Sequence, residues 1–260
     1  MSLINKLKKP RYSDFKLLYP KAKLKKNKFK LWRWLVIGRI SLFVSWSAIR
    51  FNIPANTITY LSFIAGLLSF VFFYPSELHN SFVGAILLNL SYLLDCSDGH
   101  IARYNKKNSS LGKFLDDSLG EFIITPMWFF IGFGLFNNSD IFIDYLTINI
   151  HSSASDIVLF LSFIASITYA LRIIISNRYS ENLVKNNFQL NKNKKPTISK
   201  IIYKNTLVLG GVLGPFLIIF SFFKITSFLI ILYSFIYLFN LIHCFLMYYR
   251  KLKKQDNEVF

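Results

Sequence analysis

The chain has 260 residues, of which 53% are hydrophobic and 28 are Phe, with 31 Lys and Arg set against 13 Asp and Glu. One soluble domain cannot hide that much apolar surface in its core, so the composition excludes an ordinary soluble globular class and points to a polytopic membrane protein. In a soluble chain a net charge of +18 would suggest nucleic acid; in a membrane chain the excess is read by position, and no nucleic-acid partner is expected.

Residues 1–53 form a basic arm ending in a Trp- and Arg-bearing stretch, 31–51. Its three arginines argue against a membrane crossing and for an amphipathic helix lying in the headgroup zone, with the Lys-rich arm drawn to anionic lipid. A charged stretch this long, with no small-residue cleavage pattern after it, does not fit a secretory leader. Six candidate spans follow, at about 55–75, 81–103, 111–135, 157–176, 206–223 and 226–248, each roughly long enough to cross a hydrocarbon core of about 30 Å. The fold class predicted is therefore all-α and integral to the membrane, with a six-span domain over 54–248 and a basic tail over 249–260. Ser110 is the expected N-cap of the third span. Thr125-Pro126 in that span, and Gly210, Gly211 and Gly214-Pro215 in the fifth, mark kinks or close helix contacts. Cys96 and Cys244 fall inside apolar segments and read as packing residues.

Charge sets the orientation. Thirty of the 31 Lys and Arg fall in segments 1–53, 103–113, 172–204 and 249–260, all on one side of the six crossings, and only Lys224 falls on the other. The second side carries Glu77, Asp140, Asp144 and Asp156 instead. The positive-inside rule then puts both termini at the cytoplasmic face of a cell-membrane protein.

The chemistry is concentrated between residues 95 and 121, also at that face. At about 100° per residue, Asp95, Asp98, Gly99 and Ala102 share one face of the end of the second span, and Gly112 and Asp116 share one face of the start of the third. Carboxylates at the end of an apolar span are costly unless paired, wetted or bound to metal. Oxygen-only ligands suit Mg²⁺ or Mn²⁺, which commonly bridge to substrate phosphates. The small residues at 99, 102 and 112 admit a bulky ligand to the backbone, and Arg103 offers a fork of donors to a phosphate. His100 points about 140° from Asp95 and reads as interfacial or solvated. Arg172 and Arg178 read as topological anchors or as contacts to a second phosphate.

The spacing Asp95-x2-Asp98-Gly99-x2-Ala102-Arg103-x8-Gly112-x3-Asp116 resembles the signature of the CDP-alcohol phosphotransferase family, in which a further Asp follows after three residues. Pro54-Ala55-Asn56-Thr57 is similar to the family's entry into its first span. The resemblance implies a six-span enzyme that moves a phosphoalcohol unit from a CDP-linked donor, such as CDP-diacylglycerol, to an alcohol acceptor, releasing CMP, with two divalent ions, Mg²⁺ or Mn²⁺, on the diphosphate. It further implies Asp95, Asp98 and Asp116 as metal ligands, Gly99, Ala102, Arg103 and Gly112 as nucleotide or phosphate contacts, and a homodimer as a candidate assembly. Phospholipid biosynthesis is the expected setting, with surface-polymer assembly as the alternative. The departure is at position 120, where the family's metal-binding base is replaced by Gly120. Asp117 and Glu121, about 100° and 140° round the helix from Asp116, are the candidate replacement bases. A base supplied by the acceptor, or a non-catalytic member that binds nucleotide and metal, are the other readings.

Overall fold

In a computed structural model the residues described are 11–12, 30–75, 79–105, 109–149, 153–185 and 205–259; all regular structure among them is helical. A π-helical turn, Arg33–Ile37, leads into α1 (Gly38–Arg50), followed by α2 (Ala55–Phe73), α3 (Ser81–Tyr104), α4 (Ser110–Ile124), α5 (Met127–Asn137), α6 (Ile141–Asn149) and α7 (Ala154–Lys185). A second π turn, Leu209–Leu213, precedes α8 (Gly214–Phe222), and α9 is Thr226–Val259. Four helical stretches are long and apolar enough to cross a membrane: Ala55–Phe73, Ser110–Asn137, Ala154–Asn182 and Thr226–Lys253.

The other two expected spans differ for physical reasons. α3 has 24 residues, ample length, but its last third carries Asp95, Asp98, His100 and Arg103 and is too polar to count by composition. The stretch 206–223 yields only the shorter apolar helix Leu209–Phe222. Its glycines are consumed by close packing: a Cβ on Gly210 would strike the Tyr92 ring, and one on Gly211, whose φ of −89° and ψ of −130° leave the helical region, would strike the Asn205 backbone. The break at Thr125-Pro126 occurs as expected, between α4 and α5. The cap of α4 is Ser109, not Ser110: Gly112 N donates to Ser109 Oγ at 2.9 Å, and Ser110 is already inside the helix. α9 continues from the sixth expected span into the basic stretch, as far as Val259. Tyr179 and Tyr248 stack at 4.2 Å and tie α7 to α9 near the C-terminal ends of both helices.

The chain divides into two compact units. One is built from described residues of Met1–Phe72, Asn80–Ile123 and Thr197–Phe222. Its seams combine small residues with hydroxyls, as helices do where water drives nothing. Ser62 Oγ of α2 donates to the Ser91 carbonyl of α3 at 2.8 Å, and Asn89 Nδ2 of α3 donates to the Gly214 carbonyl opening α8 at 3.1 Å. α1 packs on α3 through Ser41, Ser45 and Ala48, all buried, and turns Ile40 and Phe43 outward, as the π turn before it does Trp34 and Leu35. A helix with hydroxyls inward and apolar groups outward suits contact with lipid, not water.

The second unit comprises described residues of Phe73–His79, Ile124–Pro196 and Phe223–Phe260. α5, α7 and α9 pack together there. The proline break leaves the first-turn N–H groups of α5 without helical partners, and Ser166 of α7 accepts one, from Phe129 N at 3.0 Å. Trp128 is fully buried and stacks on Tyr233 with centroids 5.2 Å apart. Asp140 ties two helix starts at once: its Oδ1 accepts from Ile143 N at 3.0 Å and Ser227 Oγ at 2.6 Å, and its Oδ2 accepts from Ser227 N at 2.8 Å. Because Asp140 is buried, its loss strands three donors. Asp140→Ala is expected to destabilise the fold by about 2–4 kcal/mol, read as a lower thermal midpoint in detergent; Asp156→Ala, the control, changes it by less than about 0.5 kcal/mol.

Candidate active site

A cavity of about 940 Å³ opens in the first unit, bounded by the start of α2, the end of α3 and the start of α4. Each wall has a local cause. Asn52 adopts a φ of 59° between α1 and α2, and Ile53 N returns to the Ala48 carbonyl at 2.8 Å, so Pro54, Ala55 and Asn56 turn directly into the cavity. Pro54 just before the first turn of α2 loses nothing by lacking an N–H. At the far wall the Ser109 cap sets the entry of α4 and brings Gly112, Lys113 and Asp116 to the lining.

Asp95, Asp98 and Asp116 converge. One ligand oxygen from each lies within 4.8 Å of the others. Asp98 is buried, 4% exposed, while Asp95 and Asp116 are half-buried. At an effective dielectric of about 20, like charges at that separation repel by about 3 kcal/mol per pair, so the arrangement calls for positive charge or protons. Part of the compensation comes from the protein. Thr59 Oγ1 donates to Asp98 Oδ2 at 2.6 Å, and Arg33, from the turn before α1, is near enough to act electrostatically on Asp95. The donor set is all oxygen, and its three carboxylates fit a hard divalent cation.

The other expected residues divide. Gly99, Ala102, Arg103 and Gly112 all line the cavity. A Cβ at Gly99 would sit 3.2 Å from Arg103 Nη1, so the guanidinium lies over the glycine. Asp117 and Glu121 are exposed and neither lines the cavity, as their positions about 100° and 140° round α4 from Asp116 require. Gly120 has open space around it, with nothing within 4 Å of an added Cβ. His100, expected at an interface or in solvent, is instead buried at 4% exposure, against Ser41 of α1. Arg172 lies over the Tyr169 ring at 5.2 Å, and Arg178 pairs with Glu181 at 3.3 Å. Cys96 and Cys244 are buried free thiols, as expected.

Sequence reasoning missed Thr59, Lys113 and Arg33. Thr59 had a signal, since it lies one turn beyond Asn56 on the same helix face. Arg33 had none, because only the fold brings the N-terminal segment against α3. That segment is anchored by Trp32 Nε1 donating to Asn89 Oδ1 at 3.0 Å and Leu31 N donating to Asn205 Oδ1 at 2.8 Å.

Helices of membrane-spanning length, with a carboxylate triad suited to a metal and a phosphate-sized fork beside it, define a membrane protein built for phosphate-group chemistry. The family model for CDP-alcohol phosphatidyltransferase matches residues 51–252, and the chain belongs to that family of membrane transferases of phosphate-containing groups. No curated protein matches the chain.

Because Gly120 sits in open space on a helix, Gly120→Ala relieves backbone entropy without a clash. It is expected to stabilise the protein by roughly 0.5–1 kcal/mol, read as a raised thermal midpoint in micelles. A lowered midpoint would show that the glycine is required by packing.

Proposed function

We propose that the protein is a CDP-alcohol phosphotransferase that moves a phosphoalcohol unit from a CDP-linked donor such as CDP-diacylglycerol to an alcohol acceptor, with release of CMP, in phospholipid biosynthesis. The observation that carries the reading is the carboxylate triad, of which Asp98 and Asp116 line a cavity also lined by Gly99, Ala102, Arg103 and Gly112. In this reading Asp95, Asp98 and Asp116 hold one or two divalent cations, Mg²⁺ or Mn²⁺. A bound cation supplies charge neutralisation on the donor's diphosphate. Arg103 binds a phosphate oxygen of the donor, and Gly99 and Gly112 allow the nucleotide to approach the backbone. Thr59 holds Asp98 in its orientation.

The reaction is a displacement at the phosphorus of the alcohol-bearing phosphate: the acceptor oxygen forms the new bond, the bridging bond to CMP breaks, and the hydroxyl proton departs. With Gly120 in place of the base and with Asp117 and Glu121 exposed and outside the cavity lining, the geometry favours a proton acceptor brought by the acceptor substrate itself, such as its own phosphate, over either side chain. The charge pattern supports six crossings, with α3 and the 209–222 stretch completing the four apolar helices. It also supports α1 as an interfacial helix and both termini with the site at the cytoplasmic face of the cell membrane.

Gly120 itself favours a second reading, a family member that binds CDP-alcohols and metal without turnover. The two are separated by Mg²⁺- or Mn²⁺-dependent CMP release from purified protein in lipid, screened over CDP-diacylglycerol and soluble CDP-alcohols with pooled acceptors. Release from one donor, lost by at least about 10²-fold in Asp98→Asn and Asp116→Asn, is the expected outcome. CDP binding with no release from any donor establishes the second reading, and full activity in either variant overturns the ligand assignment. In the same assay Gly120→Asp is expected to raise turnover about 10-fold or more if a missing base limits the rate.

A further inference from the structure

His100 occupies a variable place inside the motif, and the functional reading gives it no work. Its surroundings are specific. Arg103 Nη2 lies 3.0 Å from His100 Nδ1, and His100 Nε2 lies 3.3 Å from Ser41 Oγ. A guanidinium only donates, so Nδ1 must be the acceptor and the imidazole is held with its proton on Nε2. That N–H then donates to Ser41 Oγ, whose own hydroxyl lies 3.3 Å from the Gly38 carbonyl and donates to it. The hydrogen bonds run in one direction, from Arg103 through His100 and Ser41 to the backbone of α1.

The chain of bonds is built into a dry seam. His100 is 4% exposed and Ser41 is fully buried. Ser45 Oγ of α1 donates to the Ser97 carbonyl of α3 at 3.0 Å, and Ser97 Oγ sits 3.3 Å from the Ser41 carbonyl, so the two helices are locked at the level of the histidine. Arg103 needs such support. Its side chain is long, it sits at the cavity edge over Gly99, and each rotamer it can sample away from the cavity weakens any phosphate contact.

We infer that His100 is a positioning residue: held by Ser41, it fixes the Arg103 guanidinium over Gly99 in the orientation that receives a phosphate of the CDP moiety. The inference rests on the functional reading above for the identity of that ligand.

The experiment is CDP binding in the presence of Mg²⁺, measured by calorimetry on the full chain in lipid nanodiscs, with the thermal midpoint recorded for each variant. Asn places its amide oxygen where His Nδ1 lies and can still accept from Arg103, whereas Leu fills the space with no acceptor. His100→Leu is expected to bind CDP about tenfold more weakly, and His100→Asn to stay within about threefold of the parent. In an Arg103→Ala background, His100→Leu is expected to cost less than about twofold further, because the group it positions is gone. Should His100→Leu fail to fold, His100→Gln, which reaches toward Ser41 instead of Arg103, is expected to show the same loss. Parent-like binding by His100→Leu or His100→Gln, or the full tenfold loss persisting without Arg103, overturns the inference while leaving the functional reading intact. Absence of CDP binding by the parent chain overturns the functional reading, and this inference with it.

Discussion

Three carboxylates held within 4.8 Å of one another, at the end of an apolar helix, are the constraint on which the rest of the first unit depends. Their mutual repulsion must be met at the ends of α3 and α4, and the local structure fixes α3, which carries two of them, with a set of ties to its neighbours. α2 and α3 are joined by the Ser62 hydroxyl, α1 and α3 by the Ser45 and Ser97 hydroxyls, and α3 and the start of α8 by Asn89. Each is a single hydrogen bond, worth about 1 kcal/mol by itself, yet together they hold α3, which carries Asp95 and Asp98, from several sides. A site of this kind is costly in the absence of cationic ligand and is relieved when positive charge enters. Ligand binding and local stability are thereby coupled.

The same ties explain the role of the N-terminal helix. α1 lies outside the sequence motif, but it is bonded to α3 at Ser97 and His100, beside Asp98 and Gly99. The turn before it brings Arg33 toward Asp95. The turn and the helix together expose Trp34, Leu35, Ile40 and Phe43, residue types suited to a headgroup and acyl boundary. One face of this segment thus turns apolar groups outward while the other sets polar groups beside the cavity.

Much of this was legible in the chain because two strong signals coincide. The apolar segments stand out by length, and the motif places Asp95, Asp98 and Asp116 on helix faces that the structure brings together. The family could be read from spacing alone. What was not legible depended on contacts distant in sequence. The stretch around Gly210 and Gly211 has the composition of a span, but its glycines are used to seat Tyr92 and to break the helix, which shortens the regular part to Leu209–Phe222. His100 could be assigned an angle from α3 but not a partner, because Ser41 lies 59 residues earlier. The cap of α4 was misplaced by one residue because two adjacent serines have equal capping propensity, and only the geometry chooses between them.

Gly120 is best understood through the same electrostatics. A fourth carboxylate one turn beyond Asp116 would add another negative charge to a cluster that is already hard to compensate, and would increase its demand for cation. Its absence leaves a site that needs less positive charge to be stable, at the cost of a base where the acceptor hydroxyl would be deprotonated. The space at Gly120 is open, so packing does not require a glycine there. In the transferase reading, an acceptor carrying its own phosphate could restore both missing features, since its oxygens can meet a cation and take up a proton. The vacancy at 120 then becomes a reason to expect a phosphorylated acceptor, bound close enough to the triad for its own charge to matter.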